Sequence, residues 1–141
     1  MQMIRKLMYF GFGLMVTLAL AFSAQAQKVR QVRFQKGKTT IAFKGGLPGA
    51  SAGYDAYIVR ARKGQTLSFR LITDEPDAYV MVFESELLGP DEDLITPENE
   101  DAREWSGKVP LTSKYSVQVY GTRNLDKKIT GKTYTLEISV L

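Results

Sequence analysis

The chain has 141 residues, of which 44% are hydrophobic and 24% are charged, and its formal net charge is +4. These proportions are those of an ordinary globular protein, and they exclude a disordered, collagen-like or multi-span membrane chain. The sequence contains neither cysteine nor histidine, which excludes disulfides, Ser-His-Asp and Cys-His catalytic systems, and histidine-based metal sites.

The first 26 residues predict a secretory signal peptide. Two basic residues precede an uncharged apolar run over residues 7–22, which is shorter than the ~20 residues that a membrane-spanning helix needs. The run leads into an A-x-A box at Ala24 and Ala26, as in a cleavable signal. We therefore expect cleavage after Ala26 and a periplasmic single domain of residues 27–141 without a stable membrane anchor. The alternative is an uncleaved anchor.

Charge is distributed unevenly along the mature chain. Residues 28–70 hold ten lysines and arginines against one acid, residues 71–107 hold twelve acids against one arginine, and residues 108–141 are again basic. A chain this polarised can present faces of opposite sign, or it can mix its charges over the surface once folded. Nucleic acid is not an expected partner, because the acidic block opposes binding.

Alternation of apolar and polar residues with period two dominates from Val32 onward and predicts an all-β chain. Val32 and Phe34, a turn at Gly37 and the run containing Ile41 and Phe43 predict a first hairpin. A glycine-rich loop follows over residues 45–53. A second hairpin is then predicted from the alternating residues 57–61, a turn at 63–65 and the alternating residues 67–71.

The second half of the chain predicts further strands. Residues 78–84 are apolar on both faces, as expected for a central strand, and residues 115–120 and 133–139 alternate. An antiparallel β-sandwich or small closed barrel of about seven to eight strands is the expected fold. Three tyrosines on inward faces are expected in the core: Tyr57, Tyr115 and Tyr134.

The segment of residues 84–104 interrupts the alternation and carries nine of the fifteen acids. Residues 96–98 (Thr-Pro-Glu) are typical of a helix N-terminus. Residues 91–93 (Asp-Glu-Asp) are candidate calcium ligands, but the spaced D-x-D-x-D-G pattern is absent, and a solvated acidic loop is the alternative. A glycosidase pair is not indicated, because nothing fixes two carboxylates about a substrate.

Two further groups are candidates for a binding site. Tyr54 directly follows the glycine-rich loop, at the mouth of a strand, where an aromatic residue has less reason to be buried. Arg123 and Lys127 lie in the polar connection of residues 121–132, and loops carry function more often than strands do. The alternatives are core packing for the aromatic residues and a solvated hairpin tip for the basic ones.

Several segments together resemble a known family. They are residues 32–37 (VRFQKG), 53–55 (GYD), 61–65 (ARKGQ), 77–79 (DAY), 114–115 (KY), 122–124 (TRN) and the closing strand around Tyr134. In order and spacing they resemble the periplasmic inhibitors of g-type lysozyme. The A-R-K-G-Q turn and the late tyrosine strand are shared with the pre-peptidase C-terminal β-sandwich domains of secreted enzymes.

The resemblance implies a β-sandwich that blocks the glycan cleft of g-type lysozyme, its protein partner, with loop residues. It implies neither an enzymatic activity nor a cofactor. Tyr54 corresponds to the family's loop tyrosine and Arg123 to the arginine of the T-R-N motif. Lys127 stands where the family carries a second arginine.

The resemblance also implies a role in lysozyme binding for a segment before the penultimate strand. The family's S-G-x-Y segment corresponds here to Thr112, Ser113, Lys114 and Tyr115, with Thr in place of Ser and Ser in place of Gly. The alternative function is a non-inhibitory accessory domain of the pre-peptidase type that binds carbohydrate or protein. An exported single domain argues against it, because such modules normally follow an enzyme.

Overall fold

The computed structural model describes residues 28–49, 53–84, 93–96, 102–124 and 126–141. Within these ranges the chain forms strands and turns, and none of the described residues is helical. The strands are β1 (Val29–Gln31), β2 (Thr40–Gly46), β3 (Tyr54–Ala61), β4 (Thr66–Ile72), β5 (Tyr79–Glu84), β6 (Asp93–Leu94), β7 (Glu104–Lys108), β8 (Ser113–Tyr120) and β9 (Thr133–Val140).

The strands form two sheets that pack face to face. One sheet has the order β1-β3-β8-β5-β6 and the other the order β2-β9-β4-β7. The β1–β3 pair is parallel, and the other pairs are antiparallel. The predicted all-β sandwich is confirmed, and in the described part of the chain both sheets stay open instead of closing into a barrel.

Both predicted hairpins are wrong. β1 and β2 lie in different sheets, and so do β3 and β4. The first apolar run also falls outside its predicted strand, since β1 ends at Gln31, before Val32 and Phe34. Alternation specifies which face of a strand is buried but not which strand lies beside it. The apolar faces of β3 and β4 therefore oppose each other across the sandwich, an arrangement that satisfies the pattern equally well.

The core lies between the sheets and consists of their inward-facing alternate residues. The three tyrosines predicted to be buried, Tyr57, Tyr115 and Tyr134, are at most 3% exposed. On β5, Val80 and Val82 are fully buried, whereas Met81 and Phe83 on the outer face are half-buried. β5 lies between β8 and β6, as expected for a strand that is apolar on both faces.

Most of the acidic segment lies outside the described residues, including Asp91, Glu92 and the residues predicted to begin a helix after Thr96. Its described parts include the short strand β6, and β7 begins at its end. Thr96 is buried, and its hydroxyl accepts a hydrogen bond from the Val82 N–H at 3.2 Å. No group of three acidic side chains in the described ranges is arranged to hold a metal ion.

The predicted signal peptide, residues 1–26, lies outside the described residues. Among the residues that the structure does describe, no helix has the length and apolar character needed to cross a membrane.

Candidate functional site

Three tyrosines form a row across the outer face of the five-stranded sheet at one of its ends. Tyr54 on β3 lies opposite Tyr120 on β8, which in turn lies opposite Tyr79 on β5. Side chains of directly opposed residues project from the same face, so the rings meet. The ring centroids of Tyr54 and Tyr120 are 5.2 Å apart, and those of Tyr120 and Tyr79 are 4.9 Å apart with the rings nearly parallel.

The Arg123 guanidinium extends this aromatic row. Its Cζ lies 4.1 Å from the centroid of the Tyr79 ring, which is a cation–π distance. Tyr79 is only 5% exposed, whereas Tyr54 and Tyr120 are half-buried and Arg123 is exposed. The row therefore presents a cation and flat aromatic surface to the solvent from one end of a rigid sheet.

The loop that carries Arg123 is tightly held against its surroundings. Thr122 is buried, and its hydroxyl accepts a hydrogen bond from the Asn124 N–H at 3.0 Å. A Cβ on Gly121 would lie 2.2 Å from the Pro48 carbonyl oxygen, a separation that no side chain can tolerate. Glycine at this position therefore allows the segment after β2 to pack directly beneath Arg123's loop.

Lys127 anchors the same loop through two carboxylates. Its Nζ lies 2.5 Å from the Glu75 carboxylate and 2.6 Å from that of Asp77. The hydrogen bond from Lys127 holds the pKa of Glu75 below its ordinary value, and the hydrogen bonds to Asp77 and Glu75 raise the pKa of Lys127. The Arg103 guanidinium donates to the Thr73 carbonyl at 3.1 Å and to that of Glu75, so the anchoring segment is itself fixed.

A buried polar chain fixes the start of β3. The Tyr134 hydroxyl donates a 2.8 Å hydrogen bond to the Asp55 carboxylate, and it lies 2.5 Å from the Tyr57 hydroxyl. Burial raises the pKa of both tyrosines, so both stay protonated at neutral pH. Because Asp55 directly follows Tyr54 in the chain, this network fixes the backbone from which Tyr54 projects.

The predicted binding residues of the S-G-x-Y segment lie at the other end of the sandwich. Ser113 pairs with Ala61, seven residues along β3 from the pair of Tyr54 and Tyr120. At the rise of a β-strand this separation is about 23 Å. The structure therefore brings Tyr54, Arg123 and Lys127 to one end and the S-G-x-Y segment to the opposite end.

Only part of that segment is exposed. Tyr115 is fully buried, and its hydroxyl donates to the Leu111 carbonyl oxygen. Ser113 is 3% exposed and donates to the Glu84 carboxylate. Thr112 is exposed, and its hydroxyl accepts a 2.9 Å hydrogen bond from the Lys63 N–H. Thr112 is thus the one of the three whose side chain a large partner reaches without rearrangement.

Comparison with known proteins gives the same assignment as the sequence motifs. No model of a known protein family matches the chain. The inhibitor of g-type lysozyme from Escherichia coli (strain K12) is 29% identical over 133 residues, which cover 90% of this chain and 92% of that protein. The crystal structure of Aeromonas hydrophila PliG, a periplasmic lysozyme inhibitor of g-type lysozyme, matches with a TM-score of 0.63 at 27% identity, covering 82% of this chain and all of that one.

The chain is similar to periplasmic inhibitors of g-type lysozyme. The resemblance predicted from the sequence is thereby confirmed. The pre-peptidase C-terminal domain of collagenase from Bacillus anthracis matches 84% of the chain with a TM-score of 0.51 at 15% identity, which is a likeness of fold alone. The wider relationship to that domain type is therefore a shared architecture.

The sequence does not predict how the candidate site is assembled. The sequence does not single out Tyr79 and Tyr120, because the register that aligns them with Tyr54 is not visible along one strand. The two carboxylates that hold Lys127 lie in the connection between β4 and β5, and only the D-A-Y segment at residues 77–79 pointed there. Trp105 lies apart from the row, on the edge strand β7 beside Phe69.

Proposed function

We propose that this protein inhibits g-type lysozyme by covering the enzyme's glycan cleft with the end of the sandwich that carries the aromatic row. The observation that carries the proposal is the position of Arg123, exposed, stacked on Tyr79 and aligned with Tyr54, in a chain similar to such inhibitors over most of its length. The protein acts by binding and does not hydrolyse peptidoglycan itself.

The chemistry of the row matches a cleft that binds sugars and cleaves them with carboxylates. A guanidinium donates two parallel hydrogen bonds to a carboxylate, and such charge-assisted pairs are strong once water is excluded. Arg123 therefore pairs with the catalytic carboxylate, while the ring of Tyr54 lies where a sugar would bind. Stacking on Tyr79 holds Arg123 near its bound geometry, which reduces the conformational entropy lost on association.

Lys127 contributes to this function indirectly. The family carries an arginine at the corresponding position, but a lysine makes no planar two-pronged contact with a carboxylate. Here Lys127 already pairs with Glu75 and Asp77 of its own chain. We therefore assign it the role of holding the Arg123 loop rather than of contacting the catalytic carboxylate.

The contribution of Thr112, Ser113 and Tyr115 to lysozyme binding stays a prediction. A contact surface that includes both Thr112 and the aromatic row has to extend about 23 Å along the sheet. Replacing Thr112 with valine, which keeps the shape and removes the hydroxyl, tests whether the surface reaches that far. A weaker inhibition by the folded variant supports the prediction, and unchanged inhibition contradicts it.

We further propose that the protein acts in the periplasm after removal of residues 1–26. The A-x-A box supports export, and the PliG structure that the fold matches is that of a periplasmic protein. A periplasmic location places the inhibitor beside the peptidoglycan that a host lysozyme attacks.

The direct test is the lysis of peptidoglycan by a g-type lysozyme with and without the purified protein. We expect dose-dependent inhibition that saturates at one inhibitor per enzyme, and no lysis by the protein alone. A protein that binds peptidoglycan fragments but leaves the lysozyme fully active contradicts the proposal and supports the accessory-domain alternative.

A further inference from the structure

A cleft of about 570 Å³ opens between the sheets at the end of the sandwich opposite the aromatic row. This volume lies in the range of small-molecule sites. Its apolar wall is short and consists of Phe34, Ala61 and Val140. The wall draws on both sheets and on the connection between β1 and β2, so the cleft is built by the fold rather than by a single loop.

The polar groups of the cleft are mainly hydrogen-bond donors. Two arginines, Arg60 and Arg62, are among its lining residues, and both side chains are exposed. No carboxylate in the described part of the chain lies within ion-pair distance of either. The Arg62 N–H donates to the Gln65 side-chain oxygen at 2.7 Å. That bond fixes the orientation of the amide and leaves its NH₂ group as a donor.

The Thr112 side chain also offers a hydrogen-bond donor to the cleft. The Thr112 hydroxyl oxygen accepts from the Lys63 N–H, which leaves the hydroxyl hydrogen as a further donor. None of the described residues that line the cleft is acidic. The lining residue Ser113 donates its hydroxyl to the Glu84 carboxylate, which is buried behind the wall. The exposed groups of the cleft are donors and two basic side chains, and these are complementary to an oxyanion.

The charge of the surrounding structure favours the same ligand. Five of the eight lining residues belong to the stretch of residues 28–70, which holds ten basic residues and a single acid. That acid, Asp55, is buried and hydrogen-bonded to Tyr134. Positive charge lining a concave site raises the local concentration of anions.

We propose that this cleft binds a small sugar-sized anion, a monosaccharide that carries a carboxylate or a phosphate. The guanidiniums of Arg60 and Arg62 hold the oxyanion, and the donors of Gln65 and Thr112 bind oxygens of the ring. Three apolar residues give too little surface to bury an acyl chain, but the Phe34 ring is large enough to pack against the apolar face of one sugar ring. The site is separate from the row that we assign to lysozyme inhibition.

The test uses three sugars with one common ring. N-acetylglucosamine is neutral, N-acetylglucosamine 6-phosphate carries a phosphate and N-acetylmuramic acid carries a carboxylate. Each is titrated into the purified protein while the backbone amide signals of Gly64, Gln65 and Thr112 are followed by NMR. We expect saturable shifts with one or both anionic sugars and none with the neutral sugar at the same millimolar concentration. Whichever of the two anionic sugars binds shows whether the site prefers a phosphate or a carboxylate.

Two variants decide whether the guanidiniums are responsible. Exchange of both Arg60 and Arg62 for glutamine is expected to weaken binding roughly tenfold or more. The matched control is Arg70→Gln on the outer face of the other sheet, where the guanidinium pairs with Glu104, and it is expected to bind as the wild type does. Retained shift patterns elsewhere in the spectrum establish that the variants are folded.

Three results would overturn the proposal: equal binding of the neutral sugar, unchanged affinity in the folded double variant, or no saturable shift with either anion. The measurement involves no lysozyme. Its failure therefore leaves the proposed inhibition untouched, and a failure of inhibition leaves this binding site untouched.

Discussion

At the scale of single residues, the main feature of the site is an arginine whose orientation is set by an aromatic ring. A free arginine side chain samples many rotamers, and fixing it on binding costs free energy. Arg123 lies 4.1 Å above the Tyr79 ring, which itself stacks on Tyr120. The planar guanidinium thus has a defined plane before a partner arrives, which is what a two-pronged contact with a carboxylate requires.

Replacing Arg123 with lysine tests whether the fork of the guanidinium matters beyond its charge. An ammonium keeps the charge but loses the planar pair of donors, so we expect inhibition to weaken by ~1–2 kcal/mol of binding free energy. The inhibition constant against a g-type lysozyme measures this. The free energy of unfolding should change by less than ~0.5 kcal/mol, because the side chain is exposed. Wild-type inhibition by the lysine variant would show that charge alone is sufficient.

Replacing Tyr79 with leucine tests the role of the ring beneath Arg123. The substitution removes the cation–π contact, and we expect binding to weaken by ~0.5–1 kcal/mol. Loss of the stack on Tyr120 also lowers the stability by about 1 kcal/mol. The matched control is Tyr79→Phe, which keeps the ring and should inhibit more strongly than the leucine variant. Equal inhibition by the two variants in the lysis assay would argue against a positioning role.

The sequence indicates the two ends of the candidate row but not the contacts that join them, and a role of these residues in binding stays a prediction. Tyr54 and Arg123 were predicted from their loop positions and from the family resemblance. The stack of Tyr79 on Tyr120 depends on the register between β5 and β8, which forms between segments some forty residues apart and leaves no local signal. Lys127 was predicted as a contact residue, and its pairing with two carboxylates of its own chain was not.

At the scale of elements, the pairing of β2 with β9 places the backbone of a glycine in β2 close to a tyrosine ring of β9. Gly45 lies opposite Tyr134 in the register, and a Cβ on Gly45 would be 2.9 Å from the tyrosine ring. The ring has little freedom to move away, because its hydroxyl bonds Asp55 and Tyr57 in the core. A side chain at this position therefore forces either the strand or the network to shift.

We expect Gly45→Ala to destabilise the protein by ~1–3 kcal/mol through this overlap. The matched control is Gly46→Ala in the same strand, where the nearest atom to an added Cβ is 4.0 Å away, and it should change the stability by less than ~0.5 kcal/mol. Urea unfolding of both variants measures the difference. Equal stabilities would mean that the Tyr134 ring moves aside at little cost.

Most strands are predictable from the sequence, but which strands pair with one another is not. The alternation in β8 and β9 specified both strands within a few residues and correctly placed Tyr115 and Tyr134 inside. The same alternation suggested hairpins at the turns after β1 and β3, because a short turn is equally compatible with pairing beside a strand and with crossing to the facing sheet. Strand β7 was not predicted, because its E-W-S-G-K sequence carries a single large apolar residue and therefore shows no alternation.

At the scale of the whole molecule, the sheet order decides which of the charged blocks of the sequence become neighbours. The basic stretch of residues 28–70 includes β1, β2, β3 and most of β4. β2 lies beside β3 across the sandwich, with the Phe43 and Tyr57 rings 4.8 Å apart. β5, β6 and β7, from the acidic stretch, lie at the other side of the two sheets. β4 pairs with β7, where Arg70 meets Glu104, so the basic and acidic stretches also come together in one sheet, and a surface divided by charge stays a prediction.

The ion pair of Lys127 with Glu75 makes the stability of the Arg123 loop depend on pH. The pKa of Glu75 is lowered in the folded protein, so its contribution to stability is complete above the ordinary value of 4.5 and is lost as the pH falls through the lower folded value. We expect stability and inhibition to fall together in that acidic range, as followed by unfolding and by lysozyme binding. A Lys127→Gln variant should lose less on acidification than the wild type, and an identical pH profile would contradict the anchoring role.

The central claim is that Arg123 pairs with the catalytic carboxylate of g-type lysozyme, and a double-mutant cycle tests it most directly. Binding is measured by calorimetry for wild-type and Arg123→Ala inhibitor, each against the wild-type lysozyme and a lysozyme whose catalytic carboxylate is replaced by the matching amide. We expect Arg123→Ala to cost ~2–5 kcal/mol against the wild-type enzyme and much less against the amide variant, because the partner charge is then already absent. Equal costs against both enzymes would mean that Arg123 does not contact that carboxylate.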